Sequence, residues 1–205
     1  MKRAERSQRR RREMLEAYYQ TLLDEGLQGA SIAKIARRLE VPPSLLIHYF
    51  GTKEQMTVEL VDYLLEVFHE AYGDKLSAIA DPRARLLAIL DEFFGPEYHQ
   101  LLDDRAFYAC FYLSLTHPQV RVAYASLYES SLELVETAIR ECMDAGLIPR
   151  DDAHELAMTV KAMEEGYAFL IGGGADEAVK ATMGRVLKTR ALRLLGLAGV
   201  GGTSD

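Results

Sequence analysis

Apolar residues along this chain recur with helical spacing nearly throughout and nowhere with the strict alternation of a half-buried strand, which predicts an all-α protein. Met14, Tyr18, Leu22 and Leu23 share one face of a helix from about Gln8 to Glu25, and Gly26 ends it. Ile32, Ile35, Ala36 and Leu39 repeat at i, i+3, i+4, i+7 behind Ser31, a good capping residue, so a short helix spans about Ser31 to Leu39. Val41 stands before two prolines and is steered out of helical backbone, whereas Pro43 suits the first position of a new helix. That helix reaches only about Tyr49, because Gly51 stops it and Thr52 with Gln55 forms a capping box for the next. Two short helices across a tight turn, followed at once by a long one, make a helix-turn-helix pattern.

From Thr52 the long helix sets Leu60, Leu64, Val67, Phe68 and Ala71 on one stripe and Glu59, Asp62, Glu66 and His69 on the other. Asp81-Pro82 opens a helix that ends before Gly95-Pro96, and a short turn leads to Asp103. Ala106 to Leu115 carries Phe, Tyr and Leu on all faces, which predicts a central buried helix. Pro118 begins a helix to Ala145, closed by Gly146 and Pro149, and Asp152 with Glu155 boxes another that reaches Ile171. Gly172-Gly173-Gly174 reads as a loop or hinge, since it lacks the Lys-Ser/Thr sequel and preceding strand of a phosphate cradle. Asp176 starts the last helix, with Val179, Met183, Val186, Leu187 and Leu194 along one side. The stripes of the last two helices either pair with a second copy in a four-helix bundle or close the monomer's own core.

Charge sharpens this picture. The net charge of -7 looks wrong for a nucleic-acid binder, but residues 1 to 53 hold eleven Lys and Arg against six Asp and Glu, and the remainder is acidic. The division predicts a DNA-binding domain over residues 1–52, with a basic N-terminal arm, and a helical regulatory and dimerisation domain over residues 53–205. Arg9, Arg10, Arg11 and Arg12 lie in that arm, which serves either as a flexible phosphate and minor-groove contact or as a solubilising tail. Cys110 and Cys142 sit among apolar residues and read as buried thiols of a reducing cytoplasm, without metal spacing. No apolar run approaches the roughly 20 residues that span a bilayer, so a cytoplasmic protein is expected, with no cofactor and no metal.

Geometry assigns the DNA contacts. A recognition helix meets base edges with its N-terminal residues, so Pro43, Ser44 and Leu45 are the readers and Ile47 also faces the groove. Ser31 and Lys53 stand at helix N-termini and can hold phosphates. The run SIAKIARRLEV, the short helix ending in HYF and the capped lysine of GTKEQM together resemble the DNA-binding domain of TetR/AcrR-type one-component repressors, from Arg9 to about Met56. The chain departs from that pattern at Pro42 and Pro43, and at Ile47, where the family usually has a phosphate-contacting Tyr. The resemblance makes His48 and Tyr49 phosphate candidates, with Tyr49 alternatively a core aromatic beside Phe50. It also implies a homodimer that represses by occupying a (pseudo)palindromic operator and is released by a small molecule. The IHYF wording looks similar to the choline-responsive betaine-pathway repressors as well.

The second domain predicts a pocket for an organic effector with a sizeable apolar part. Phe94, Tyr98, Phe107, Phe111, Tyr112, Tyr128, Met163 and Tyr167 supply rings and hydroxyls, the usual lining of a small-molecule site, with ordinary core as the alternative. Glu164 or Glu165 can place a carboxylate beside them, a combination that favours a hydrophobic cation, with both glutamates solvated or paired with Arg and Lys at a dimer seam as the alternative. Two other classes were weighed against a regulator. Glu66-x-x-His69 and Asp151-x-x-His154 imitate a di-iron helical metalloenzyme, but Glu66 and His69 fall on the polar side of their helix. A helical interaction module that binds RNA or an acidic partner is the other, and a labelled-DNA assay separates it. Enzymatic activity is not expected.

Overall fold

The structure, a computed structural model, describes residues 2–68, 74–95, 104–172 and 174–197. Among them every regular element is helical: α1 (Lys2–Gly29), α2 (Ile32–Arg38), α3 (Pro43–Phe50), α4 (Lys53–Phe68), α5 (Asp74–Ser77), α6 (Pro82–Phe94), α7 (Asp104–Ser114), α8 (Pro118–Asp144), α9 (Ala153–Gly172) and α10 (Glu177–Leu194). The caps sit where local chemistry demands them. Side-chain oxygens of Ser31, Asp81 and Asp176 accept from backbone N–H groups three residues on, each satisfying a donor that the first helical turn leaves open. Thr52 does the same for Gln55 N–H at 3.0 Å, and Asp152 for Glu155 N–H at 3.0 Å. Gly26, Gly51 and Gly146 take φ of 69°, 76° and 69°, left-handed backbone that glycine adopts without a Cβ clash.

Two compact units result. One contains α1 to α4, α7 and α8 as far as Tyr128; the other contains α5, α6, the remainder of α8, α9 and α10. In the first, Met14, Tyr18 and Leu22 of α1 meet Ile35 and Ala36 of α2, Leu46 and Phe50 of α3, and Met56, Leu60 and Leu64 of α4 in one core. The Tyr18 hydroxyl shares a hydrogen bond with Thr57 Oγ1 at 2.9 Å, so the buried phenol is satisfied. In the second, Leu86, Leu90, Phe93 and Phe94 of α6 are buried, as are Val160, Tyr167 and Ala168 of α9. Gly184 of α10 lies so near α6 that a Cβ there would stand 2.2 Å from the Phe94 carbonyl oxygen.

Two expectations change, and one pair of alternatives narrows. Residues 2–12 are helical as part of α1, because Arg10 pairs with Glu13 one turn on and the arginine stems continue a surface already helical, so the arm is not a flexible one. The helix through Ala106–Leu115 is buried on one side only: Phe111, Tyr112 and Leu115 are exposed, Tyr112 at 61%. An all-round aromatic run carries no periodic signal for its inner face. Val179, Val186 and Leu194 of α10 are exposed, so this stripe does not close the monomer's core. The expected turn before Asp103 and the residues Ala71, His69 and Tyr98 lie outside the described residues. Cys110 and Cys142 are both buried and free.

Candidate DNA-binding interface and the charged core of the second unit

Helix α3 is amphipathic over barely two turns. Leu46 and Phe50 enter the core, Leu45 and Tyr49 pack against its edge, and Pro43, Ser44, Ile47 and His48 are exposed. Ile47 is 46% exposed although an isoleucine gains by burial, which leaves a bare apolar patch on a short helix. The Tyr49 ring tilts against Phe50 with 6.4 Å between centroids and meets the His48 ring edge-on at 5.8 Å. Tyr49 is therefore partly a core residue.

The surrounding cations differ in how much they are already engaged. Ser31 is spent on capping α2, accepting from Lys34 N–H at 3.3 Å, yet it stays exposed with the helix N-terminus around it. Lys53 begins α4 half-buried, its Nζ 3.4 Å from the Leu27 carbonyl oxygen, and burial lowers its pKa. Arg9 and Arg10 both pair with Glu13. Arg11 binds Glu59 and donates to the Tyr49 carbonyl, with its guanidinium 5.0 Å from the Phe50 ring centre. Arg12 lies over the Tyr63 ring at 5.7 Å. Arg9, Arg11 and Arg12 face Glu59, Asp62 and Glu66 of α4 across a groove of about 590 Å³, and Asp62 is pushed up by burial and by its two acidic neighbours. Arg11 thus braces α3 from behind, a role that sequence reading did not show because its partners lie 38 and 48 residues away. Sequence reading also passed over Arg37, exposed in the last turn of α2 and without an ion-pair partner among the described residues. Its neighbours Lys34 and Arg38 pair with Glu25 and Asp24.

The residues expected to bind an effector separate between the units. In the first, Phe107 and Phe111 pack against Tyr124 with ring centres 5.2 and 5.7 Å apart, and Tyr128 is half-buried. Tyr112 instead edges a mainly apolar recess of about 390 Å³ that also holds Leu27, Lys53, Thr57, Leu113, His117 and Val120. In the second unit, Phe94 stands 6.1 Å from the Tyr167 ring, the Tyr167 hydroxyl donates to the Lys180 carbonyl at 3.2 Å, and Met163 is half-buried.

Beside these rings lies a charged cluster. Lys161 and Glu164 are 3% and 2% exposed, and Lys161 Nζ is 2.5 Å from Glu164 Oε2, 3.6 Å from Glu165 Oε1 and 5.0 Å from the Phe93 ring centre. Burial pushes the Glu164 carboxyl well above the usual carboxylate range, with the charge of Glu165 adding to the effect. Burial also lowers Lys161, with Glu165 opposing. Glu164, expected to face a ligand, is engaged by the Lys161 ammonium of its own helix. Among the described residues no group of three or more His, Cys, Asp or Glu is placed to hold a metal ion, and His154 instead hydrogen-bonds Glu136 at 2.8 Å. No helix among them is long and apolar enough to cross a membrane.

Comparison with known proteins places the fold. A family model described as "Bacterial regulatory proteins, tetR family" matches residues 15–60, and one described as "Tetracyclin repressor-like, C-terminal domain" matches residues 81–197. The HTH-type transcriptional regulator BetI of Rhizobium meliloti (strain 1021) is 29% identical over 160 residues, 77% of this chain and 75% of that protein. BetI 1 of Chromohalobacter salexigens is 27% identical over 183 residues, covering 87% and 86%. A crystal structure of a transcriptional regulator from Saccharomonospora viridis, in complex with choline, superposes with a TM-score of 0.77 at 21% identity over 88% of this chain and 94% of that one. The helix-turn-helix, the helical second unit and both matching models lead to one conclusion: this chain belongs to the tetR family of bacterial regulatory proteins and is a DNA-binding transcriptional regulator rather than an enzyme.

Proposed function

We propose that the chain is a cytoplasmic repressor that occupies a (pseudo)palindromic operator as a homodimer and leaves it when an organic effector binds residues of the second domain. The observation that carries this is the outer face of α3, where Pro43, Ser44, Ile47 and His48 are exposed while Leu46 and Phe50 anchor the helix. Ser44 hydrogen-bonds base edges, Leu45 and Ile47 meet thymine methyl groups, and His48, Tyr49, Lys53 and Ser31 lie against phosphates. Arg37 joins them, and Arg9 to Arg12 add charge from α1. Residues 1–52 act as the DNA-binding domain and residues 53–205 as the regulatory one. Two-fold pairing is needed to place two such helices on half-sites about a helical turn apart. Exposed Met158, Phe169 and Leu170 of α9 with Val179, Val186 and Leu194 of α10 supply an apolar surface for a second copy.

The effector is an apolar organic cation. The choline-bound neighbour supports that class, as does the buried carboxylate of Glu164, whose partner Lys161 lies over the Phe93 ring. Footprinting on the intergenic DNA beside the gene, together with sedimentation, tests the reading. The expected result is a symmetric protected site bound by a dimer and cleared by hydrophobic cations. A monomer that binds tightly, or protection without sequence preference, contradicts it.

A further inference from the structure

We propose that Lys161 is an exchangeable occupant of the ammonium site formed by Glu164 and Phe93, and that a cationic effector binds by displacing the Lys161 ammonium onto Glu165. The inference rests on the effector class proposed above. Its foundation is geometric. An ammonium 2.5 Å from a buried carboxylate oxygen and 5.0 Å from an aromatic ring centre has the surroundings that recognise an organic ammonium ion, and here they are filled from within. An ion pair this deeply buried brings little net stability, because desolvating two charges costs about as much as their attraction returns, so packing alone does not account for it.

The same cluster contains the other half of the exchange. Lys161 Nζ stands 3.6 Å from Glu165 Oε1, whose side chain is 31% exposed, against 2% for Glu164. Two carboxylates therefore share one ammonium, one inside and one at the surface. The lysine stem has four flexible methylenes and no preferred fork, so rotation about them carries the ammonium outward while it keeps a partner. The Glu165 side chain reaches solvent, so the outer position does not need the ammonium to stay buried. When Lys161 moves out, Glu164 and Phe93 receive the cation of the ligand, and charge inside the unit is conserved. The internal lysine lowers apparent affinity by the fraction of time it holds the site, which sets a threshold concentration for the effector.

Calorimetry on the full-length protein with choline, and with 3,3-dimethylbutan-1-ol as its uncharged isostere, tests the exchange. Lys161→Met removes the competitor and should bind choline about tenfold more tightly than the wild type, while the alcohol, which leaves Glu164 without a counter-ion, stays the weaker ligand. Glu165→Gln keeps the buried pair but weakens the outer resting place, and should bind choline several-fold more weakly. Should Lys161→Met not fold, Glu165→Gln alone decides. Equal choline affinity in the variants and the wild type, or no choline binding by any of them, overturns the proposal. Operator binding without ligand is measured on the same samples, so a failure of the exchange is distinct from a failure of the repressor reading.

Discussion

Helices α3 and α9 solve opposite problems with their side chains. Helix α3 buries Leu46 and Phe50 and leaves Ser44 and His48 outside, the order that solvation alone would choose, with only Ile47 out of place. Helix α9 buries Lys161 and Glu164 while Met158, Phe169 and Leu170 are exposed, Phe169 at 69%. Departures from the solvation rule mark work other than folding. In α3 the single departure lies on the face proposed to meet DNA. In α9 there are departures inside and out, on the residues proposed to hold a cation and on those proposed to meet a second protomer.

The comparison breaks most easily inside α9. Glu164→Ala strands the Lys161 ammonium in the core and should cost about 3–5 kcal/mol of stability in a urea titration, whereas Glu164→Ala with Lys161→Met should recover much of that loss. A single variant as stable as the wild type means the cluster is hydrated and not a buried site. In the first unit, Leu46→Ala should lose about 2–5 kcal/mol, because Leu46 is wholly buried. Ile47→Ala beside it should stay within about 0.5 kcal/mol while shifting preference among duplexes. If Ile47→Ala unfolds the protein instead, Ile47 belongs to the core.

What the sequence made readable was chemistry that acts within a few residues. Ser31, Thr52, Asp81, Asp152 and Asp176 each announced a helix start because the group they satisfy lies two or three positions on. Gly51 and Gly146 announced ends, and Gly26 the kink three residues before α1 stops, because positive φ excludes most other residues. The inner face of α3 was legible from spacing. The role of Arg11 was not, since Glu59 and the Tyr49 carbonyl reach it only through the fold. Lys161 escaped notice for a different reason: a lysine in an apolar helix is normally taken to point its charge to water, and only the packed structure shows it turned inward onto Phe93. Glu164 was legible as a carboxylate near rings or as one paired with a basic residue at a dimer seam, but its pairing with Lys161 of the same helix was not.

A smaller effect distinguishes the first unit at alkaline pH. Burial raises Tyr18 from 10.0 to about 12 and Cys110 from 9.0 to about 12. Both groups hold their protons more tightly folded than unfolded. Their contribution is therefore complete below pH 9 and is lost as pH climbs toward 12. Urea midpoints should decline over that range, and less so in Tyr18→Phe. An identical decline in Tyr18→Phe removes Tyr18 from the account.

The most direct measurement is duplex binding against salt, by fluorescence anisotropy, for the wild type and for Ser44→Ala with Ile47→Ala, on the protected intergenic sequence and on a shuffled one. Base contacts supply discrimination worth about 1–3 kcal/mol each, and phosphate contacts supply the salt dependence. The account predicts that the double variant loses at least about tenfold of the preference between the two duplexes while the slope of log K against log salt stays the same. Preference that survives intact when the outer face of α3 is stripped would contradict it.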